Sequence, residues 1–315
     1  MQIKNFLIPL GALLALSGLI SSPVALILGT AIALLIGNPY QEKTKFYAGW
    51  LMAIAIVGLG AGVPLNEALR VGAHGIVYTL AGITFTFILG LAIGKFLSLD
   101  KSISLLITAG TAICGGSAIA AISRVIDARS DTIAISLCTV FLLNAAALII
   151  FPFIGHAVDL TQAQFGLWAG LAIHDTSSVI GASLPYGDEA TQIATTTKLA
   201  RAIWIIPLAF VIGMFWSKKE EKIPFLSVVR RCWFIGGFLL MSLLISYAPS
   251  LDRIGQTIEL SAKRLMILVL FLIGAGLTKG LLRQVGFKPF VQGIMLWVLV
   301  SAATLAVIML GWISF

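Results

Sequence analysis

The sequence predicts an all-α polytopic membrane protein of about eleven transmembrane helices, with inverted-topology repeats and one or two helices broken near the bilayer midplane. Composition is the first ground. Of 315 residues, 59% are hydrophobic and 11% charged, whereas a soluble domain carries about 25% charged residues. Mean hydropathy is +1.04, leaving too little polar surface to coat a water-soluble globule. The second ground is the recurrence of apolar runs long enough for a ~30 Å hydrocarbon core. The third is their pattern: glycine-containing runs without the ten-residue alternation of a membrane β-barrel.

The runs fall near 6–20, 24–37, 47–63, 74–97, 102–125, 132–156, 165–184, 191–216, 232–248, 263–280 and 289–313. The first follows Lys4 but lacks a small-x-small cleavage site, and a second run begins right after Ser21, Ser22 and Pro23, so it reads as a retained span. No linker separates domains, and residues 1–315 read as a single transmembrane unit; the longest polar connection, Ser217 to Arg231, is a loop. Cys114, Cys138 and Cys232 are an odd count without metal-ligand spacing, so neither a disulfide framework nor a metal site is expected.

The excess of 21 Lys and Arg over 13 Asp and Glu would point to nucleic acid in a soluble protein. Here the cations sit in short loops and set orientation instead. With all eleven runs crossing, thirteen fall on the side of the N-terminus and six on the other. The N-terminus is therefore expected in the cytoplasm of a bacterial inner (plasma) membrane, and the C-terminus outside. An internal repeat adds to this picture. Segment 51–62 reads LMAIAIVGLGAG and 265–276 reads LMILVLFLIGAG, and at the same offset Val71-Gly72 matches Val285-Gly286. Spans three and ten are an odd number apart, so copies around 47–97 and 263–313 would run in opposite directions, as in many secondary transporters.

Three polar interruptions carry the functional reading. In the fifth run, Cys114, Gly115, Gly116 and Ser117 sit mid-span. Paired glycines disfavour a continuous helix, and a break there would aim the N–H groups of a half-helix inward, where they attract anions. In the seventh run, His174, Asp175, Thr176, Ser177 and Ser178 are consecutive. A mid-membrane carboxylate costs several kcal/mol by order of magnitude unless it meets a partner or water, and a histidine beside it is suited to proton traffic. In the eighth run, Thr191, Thr195, Lys198 and Arg201 recur at helical spacing on one face. Arg201 then lies ~15 Å inside, too deep to snorkel. Lys198 or Arg201 paired with Asp175 is the expected internal ion pair, leaving one positive charge over.

These motifs in order resemble a known family. GTAICGGSAIAA at 110–121, AIHDTSSVIGA around His174-Asp175, TTTKLARA around Lys198 and Arg201, and the late Gly276-Leu277-Thr278 are similar to the YeiH-type membrane proteins, often labelled sulfate exporters. The likeness covers nearly the whole chain. It implies the superfamily of cation/proton antiporters and bile-acid-type transporters, with inverted repeats and unwound helices at the midplane. The family often has His-Glu where this chain has His174-Asp175, which keeps the charge and shortens its reach.

The expected function is secondary transport, most simply export, of a small inorganic or organic anion such as sulfate or a related sulfur oxyanion or sulfonate. Cys114, Gly115, Gly116, Ser117, Thr176, Ser177, Ser178, Lys198 and Arg201 are the expected substrate contacts; His174 and Asp175 are the expected proton-coupling pair. Arginine suits a multi-oxygen anion because its guanidinium donates two parallel bonds. Two alternatives stand beside this: a Na+/H+-type cation/proton antiporter working through Asp175, and a structural membrane protein that transports nothing. An enzyme is not expected, since no base lies near Cys114 or Ser117 in sequence. Expected partners are the anion, a proton or Na+ as coupling ion, the lipid bilayer and a second copy of the chain; neither nucleic acid nor a cofactor is expected.

Overall fold

In the computed structural model, residues 2–216, 233–248, 251–277, 279–280 and 286–313 are described. The Ser217–Arg231 loop, Cys232, Thr278 and Val285 lie outside them. Within the described residues, all eleven apolar runs are helical for most of their length. They form α1 (Gln2–Leu16), α2 (Ser22–Leu35), α3 (Gln41–Leu59, extended by a 3-10 turn at Gly60–Gly62) and α4 (Leu65–Phe96). Next come α5 (Lys101–Ala112), α6 (Gly116–Val125), α7 (Ser130–Ala157), α8 (Gln162–Ala172) and α9 (Thr176–Ser183). The last are α10 (Asp188–Ala202), α11 (Ile205–Trp216), α12 (Trp233–Tyr247), α13 (Asp252–Gly276) and α14 (Phe287–Met309). Among the described residues, five segments are long and apolar enough to cross a membrane: Gln41–Gly62, Tyr78–Phe96, Asp131–Ala157, Asp188–Trp216 and Phe287–Met309.

The helices sort into two bundles. In the first, α13 rests against α1, α2 and α3, and α12 packs on α3. Glycine sets the approach of α2 to α13: a Cβ on Gly29 would lie 2.2 Å from the Phe271 carbonyl, and one on Gly274 2.3 Å from that of Leu26. Such backbone contact is how membrane helices associate when the solvent supplies no hydrophobic drive. The repeated segments α3 and α13 pack antiparallel, with Gly58 against Ala262 and Gly62 against Glu259, while Ala48 shares a cluster with Leu272 and Ala275. The second bundle comprises α4 to α11 and α14.

Chain direction follows from these contacts. The face where α1 begins is here the N-face, and the other the C-face. Helices α1, α3, α7, α12 and α14 run from N-face to C-face, and α2, α4, α10–α11 and α13 run back.

The fifth and seventh runs do neither. Had α8 and α9 continued in one direction, their outer ends would stand ~30 Å apart. Instead the Tyr186 hydroxyl donates to the Leu160 carbonyl at 2.8 Å, and its ring stacks on Phe165 (3.7 Å) and His156 (4.3 Å). Ala190 N–H also reaches the Gln162 side chain at 3.4 Å. So α8 enters from the C-face, turns at Ile173, His174 and Asp175, and α9 returns to the C-face. The α5–α6 pair does the same from the N-face. Its start lies beside the end of α4, where Gly94 and Gly90 face Ser104 and Thr108. Gly110 packs against Ile119, and Leu105, Leu106, Ile122 and Ile126 share one buried cluster with Ile212 of α11. Two re-entrant hairpins thus dip from opposite faces.

Each hairpin is built from local signals. Asp100 caps α5 by accepting from Ser102 N–H (2.9 Å) and Ile103 N–H (3.1 Å). Thr161 and Gln164 form a reciprocal capping box on α8. The turn at the N-face tip is enforced by Gly115, whose φ of +64° and ψ of −121° only glycine adopts without strain. Backbone that leaves the helix inside a membrane is tolerated where protein surrounds it, and both tips are buried among α7 and α10.

Candidate functional site

The tips meet. A Cβ on Gly115 would lie 3.3 Å from Cβ of Asp175 and 3.4 Å from the Val140 side chain. Four helix ends therefore converge: the carbonyl ends of α5 and α8, and the N–H ends of α6 and α9. Helix carbonyl ends carry partial negative charge and attract cations. Both interior cations serve them. Lys198 Nζ donates to the Ile173 carbonyl at 2.6 Å. Arg201 Nε donates to the Ala112 carbonyl at 2.5 Å, and its Nη1 donates to the Leu171 carbonyl. Arg201 thus joins the carbonyl end of one hairpin to that of the other, and it lies in the last turn of α10, where a cation suits its own helix too.

This corrects the expected ion pair. Among the described residues neither Lys198 nor Arg201 forms a salt bridge with Asp175. The physical reason is that unpaired carbonyls at two helix ends bind the cations first. The Asp175 carboxylate instead accepts from the backbone N–H and hydroxyl of Ser177, capping α9. Nor does His174-Asp175 sit in mid-helix; both occupy the turn between α8 and α9.

The other expected site residues fall into two groups. Cys114, Thr176, Ser177 and Ser178 are buried around the tips. Gly116 and Ser117, in the first turn of α6, are accessible, Ser117 being exposed. No side chain caps α6, so the N–H groups of its first turn lack helical partners. Asp175 is the half-buried member of the opposite tip.

Residues absent from the sequence reading complete the shell. Asn144 of α7 accepts from Asp175 N–H at 3.2 Å. Among the described residues, the side chains of Thr111, Thr195, Thr197 and His174, Arg201 Nη2 and Asn144 Nδ2 are buried without a hydrogen-bond partner. Unpaired buried polar atoms at this density mark a place that water or a ligand completes. The signal for Asn144 was present: a lone amide inside the apolar run from Cys138 to Phe151. Among the described residues no three His, Cys, Asp or Glu side chains cluster as metal ligands do.

Two further polar features lie at the C-face. Lys263 of α13 bridges Asp188 at 2.5 Å and Glu259 at 2.9 Å, and Gln192 donates to the Gly62 carbonyl at 2.7 Å, so both features link α10 to the other bundle. Tyr186 is held above its ordinary phenol range by burial and then by the Asp159 charge, which keeps it a donor to Leu160. A cavity of about 590 Å³ opens beside Gly62, Asn66, Ser246, Tyr247 and Asp252, away from the tips.

Fold and site together define an all-helical polytopic membrane protein whose interior holds two opposed hairpin tips. Residues 8–293 match the family model described as Conserved hypothetical protein 698, and the chain belongs to that family. A UPF0324 membrane protein of Bdellovibrio bacteriovorus is 49% identical over 312 residues, covering 99% of this chain and 96% of the relative. Relatives of the same description from Bacteroides thetaiotaomicron (44%, covering 96% of this chain and 91% of the relative) and Geobacter sulfurreducens (44%, covering 91% of each) are similar throughout. No solved structure matches the chain.

Proposed function

We propose that the protein is a secondary transporter of a small anion, bound where the hairpin tips meet, with the N-face in the cytoplasm of a bacterial inner membrane. The observation that carries this reading is the donor surplus at the tips. The α6 N-terminus carries no side-chain cap, and Arg201 Nη2 and Asn144 Nδ2 have no partner among the described residues. Lys198 and Arg201 outnumber the carboxylate of Asp175. Donors in surplus, in a largely buried site, favour an anion over a cation. Sulfate and related sulfur oxyanions or sulfonates fit a multi-donor site, and the family likeness to labelled sulfate exporters points the same way. Asp175, half-buried at the tip, is the group placed to take up a coupling proton.

Lys198 and Arg201 act in this reading as fixed positive ends that hold the tips, so only the free edge of Arg201 addresses the anion. The test is a thermal-shift screen of purified protein against sulfate, sulfite, thiosulfate, taurine and small carboxylates, with Na+ and Li+ compared, followed by flux in liposomes. A ligand at about a hundred times its Kd stabilises the folded state by ~2.7 kcal/mol. Arg201→Lys keeps the charge and loses the fork, so anion stabilisation should fall sharply in a protein that still folds. Undiminished stabilisation in Arg201→Lys would refute the assignment.

One observation favours a second reading, a cation/proton antiporter: Asp175 is the single carboxylate at the tips among the described residues and is partly accessible. That reading predicts stabilisation by Na+ or Li+ that is indifferent to the anion present.

A further inference from the structure

We infer that Asn144 is a direct ligand of the transported anion, a third donor beside Arg201 and the α6 N-terminus, and that it selects a dehydrated oxyanion with several oxygens. The inference rests on the anion-transporter reading above. It begins from orientation. The Asp175 N–H can only donate, so the Asn144 atom facing it at 3.2 Å is Oδ1. The Nδ2 group must then point away from Asp175, and it has no partner among the described residues although the residue is 3% exposed. An amide donating no hydrogen bond in a buried site is a costly residue to place inside an apolar run unless something accepts from it.

The surroundings say what accepts. Arg201 Nη2 and both ring nitrogens of His174 are likewise unpaired, each on a residue 1% exposed. All three side chains belong to the same small region: Asn144 is bonded to Asp175, His174 is its chain neighbour, and Arg201 holds the carbonyls on either side of the tips. Nδ2 and Nη2 are pure donors. A cation finds nothing to bind in them, and an anion with one acceptor atom satisfies only one. An oxyanion presenting two or more oxygens satisfies them together and exchanges part of its hydration shell for fixed donors. Halides and monovalent cations are thereby disfavoured relative to sulfate-like or sulfonate-like ions.

The experiment separates the two roles of Asn144. Asn144→Asp keeps an acceptor for the Asp175 N–H and removes both donors, whereas Asn144→Ala removes both functions. Full-length protein in detergent is titrated with sulfate and with taurine, following thermal stability and then uptake in liposomes. The expected result is an oxyanion affinity reduced at least a hundredfold in Asn144→Asp, with a lowered ligand-free Tm because the new buried carboxylate has no cationic partner. Asn144→Ala should reduce affinity about tenfold and narrow the preference for sulfate over chloride. Affinity within threefold of wild type in whichever variant folds overturns the role of Asn144 while leaving the anion reading intact. A wild-type protein stabilised by no anion, or equally by chloride and sulfate, overturns the inference as well, the former by removing the reading beneath it.

Discussion

Replacing Gly115 with alanine tests the hairpin tip directly, because the glycine next to it supplies the control. Gly115 has a φ of +64° with a ψ of −121°. Holding an L-residue in such a region costs ~1–3 kcal/mol. The added methyl would also stand 3.3 Å from Cβ of Asp175 and 3.4 Å from Val140, tight contacts inside a buried tip. Valine would add two more carbons there and a further ~1–3 kcal/mol of overpacking. Gly116 is one residue on, with helical backbone, and a methyl there meets the rim of the Phe141 ring at 3.3 Å, which can turn aside. Alanine also orders more easily than glycine in a helix, by ~1 kcal/mol. Thermal unfolding in detergent should therefore rank wild type and Gly116→Ala together, Gly115→Ala well below them, and Gly115→Val lowest. Equal losses at the two positions, or a Gly115→Ala protein as stable as wild type, would refute the tip geometry.

Three further outcomes follow. A cysteine placed at Arg129 should react with a membrane-impermeant thiol reagent from the same side as one at Lys43, and labelling from opposite sides would mean that α5–α6 crosses. Lys263→Gln should lower stability by no more than ~1 kcal/mol, since Asp188 is largely exposed. The same change should make the C-face easier to open, read as faster hydrogen exchange at the start of α10; unchanged exchange would remove the contact as a clasp. Gln292→Leu should cost ~1–3 kcal/mol by chemical denaturation, because its amide holds the Gly90 carbonyl (2.9 Å) and the Ser104 hydroxyl (2.8 Å) between α4, α5 and α14. A neutral result would show that this buried polar knot adds nothing.

Every apolar run was legible in the sequence, as were the break at Gly115 and the gathering of Lys198, Arg201, His174 and Asp175, because composition and spacing encode both. Direction was not. Hydropathy measures how much apolar chain is present, and 22 residues that turn back at Asp175 read like 22 that continue. What bends the chain is tertiary: the Tyr186 stack on Phe165 and His156, and the Arg201 bonds to two helix ends, involve residues far apart in sequence. The expected Asp175 ion pair failed for a related reason. Pairing opposite charges by eye omits the backbone, and an interior helix end is a charge too.

The hairpins also change what the basic residues say. Among the described residues, Lys4, Lys43, Lys45, Lys95, Lys101, Arg124, Arg129, Lys279 and Lys288 fall at the N-face, and Arg70, Arg253, Lys263 and Arg264 at the C-face. If the fifth run crossed, Arg124 and Arg129 would change sides, leaving seven against six among the described residues, although the whole sequence would still split thirteen against six as counted above. With α5–α6 turning back, the split is nine against four. The positive-inside rule concerns residues close to the membrane in short loops, which describes Arg124 and Arg129. A re-entrant hairpin therefore strengthens a bias that the crossing arrangement also satisfies, and in either arrangement the bias favours a cytoplasmic N-face. In the proposed transporter the α5–α6 tip would be reached from the cytoplasm and the α8–α9 tip from outside, so the two hairpins would bring one binding place within reach of both compartments.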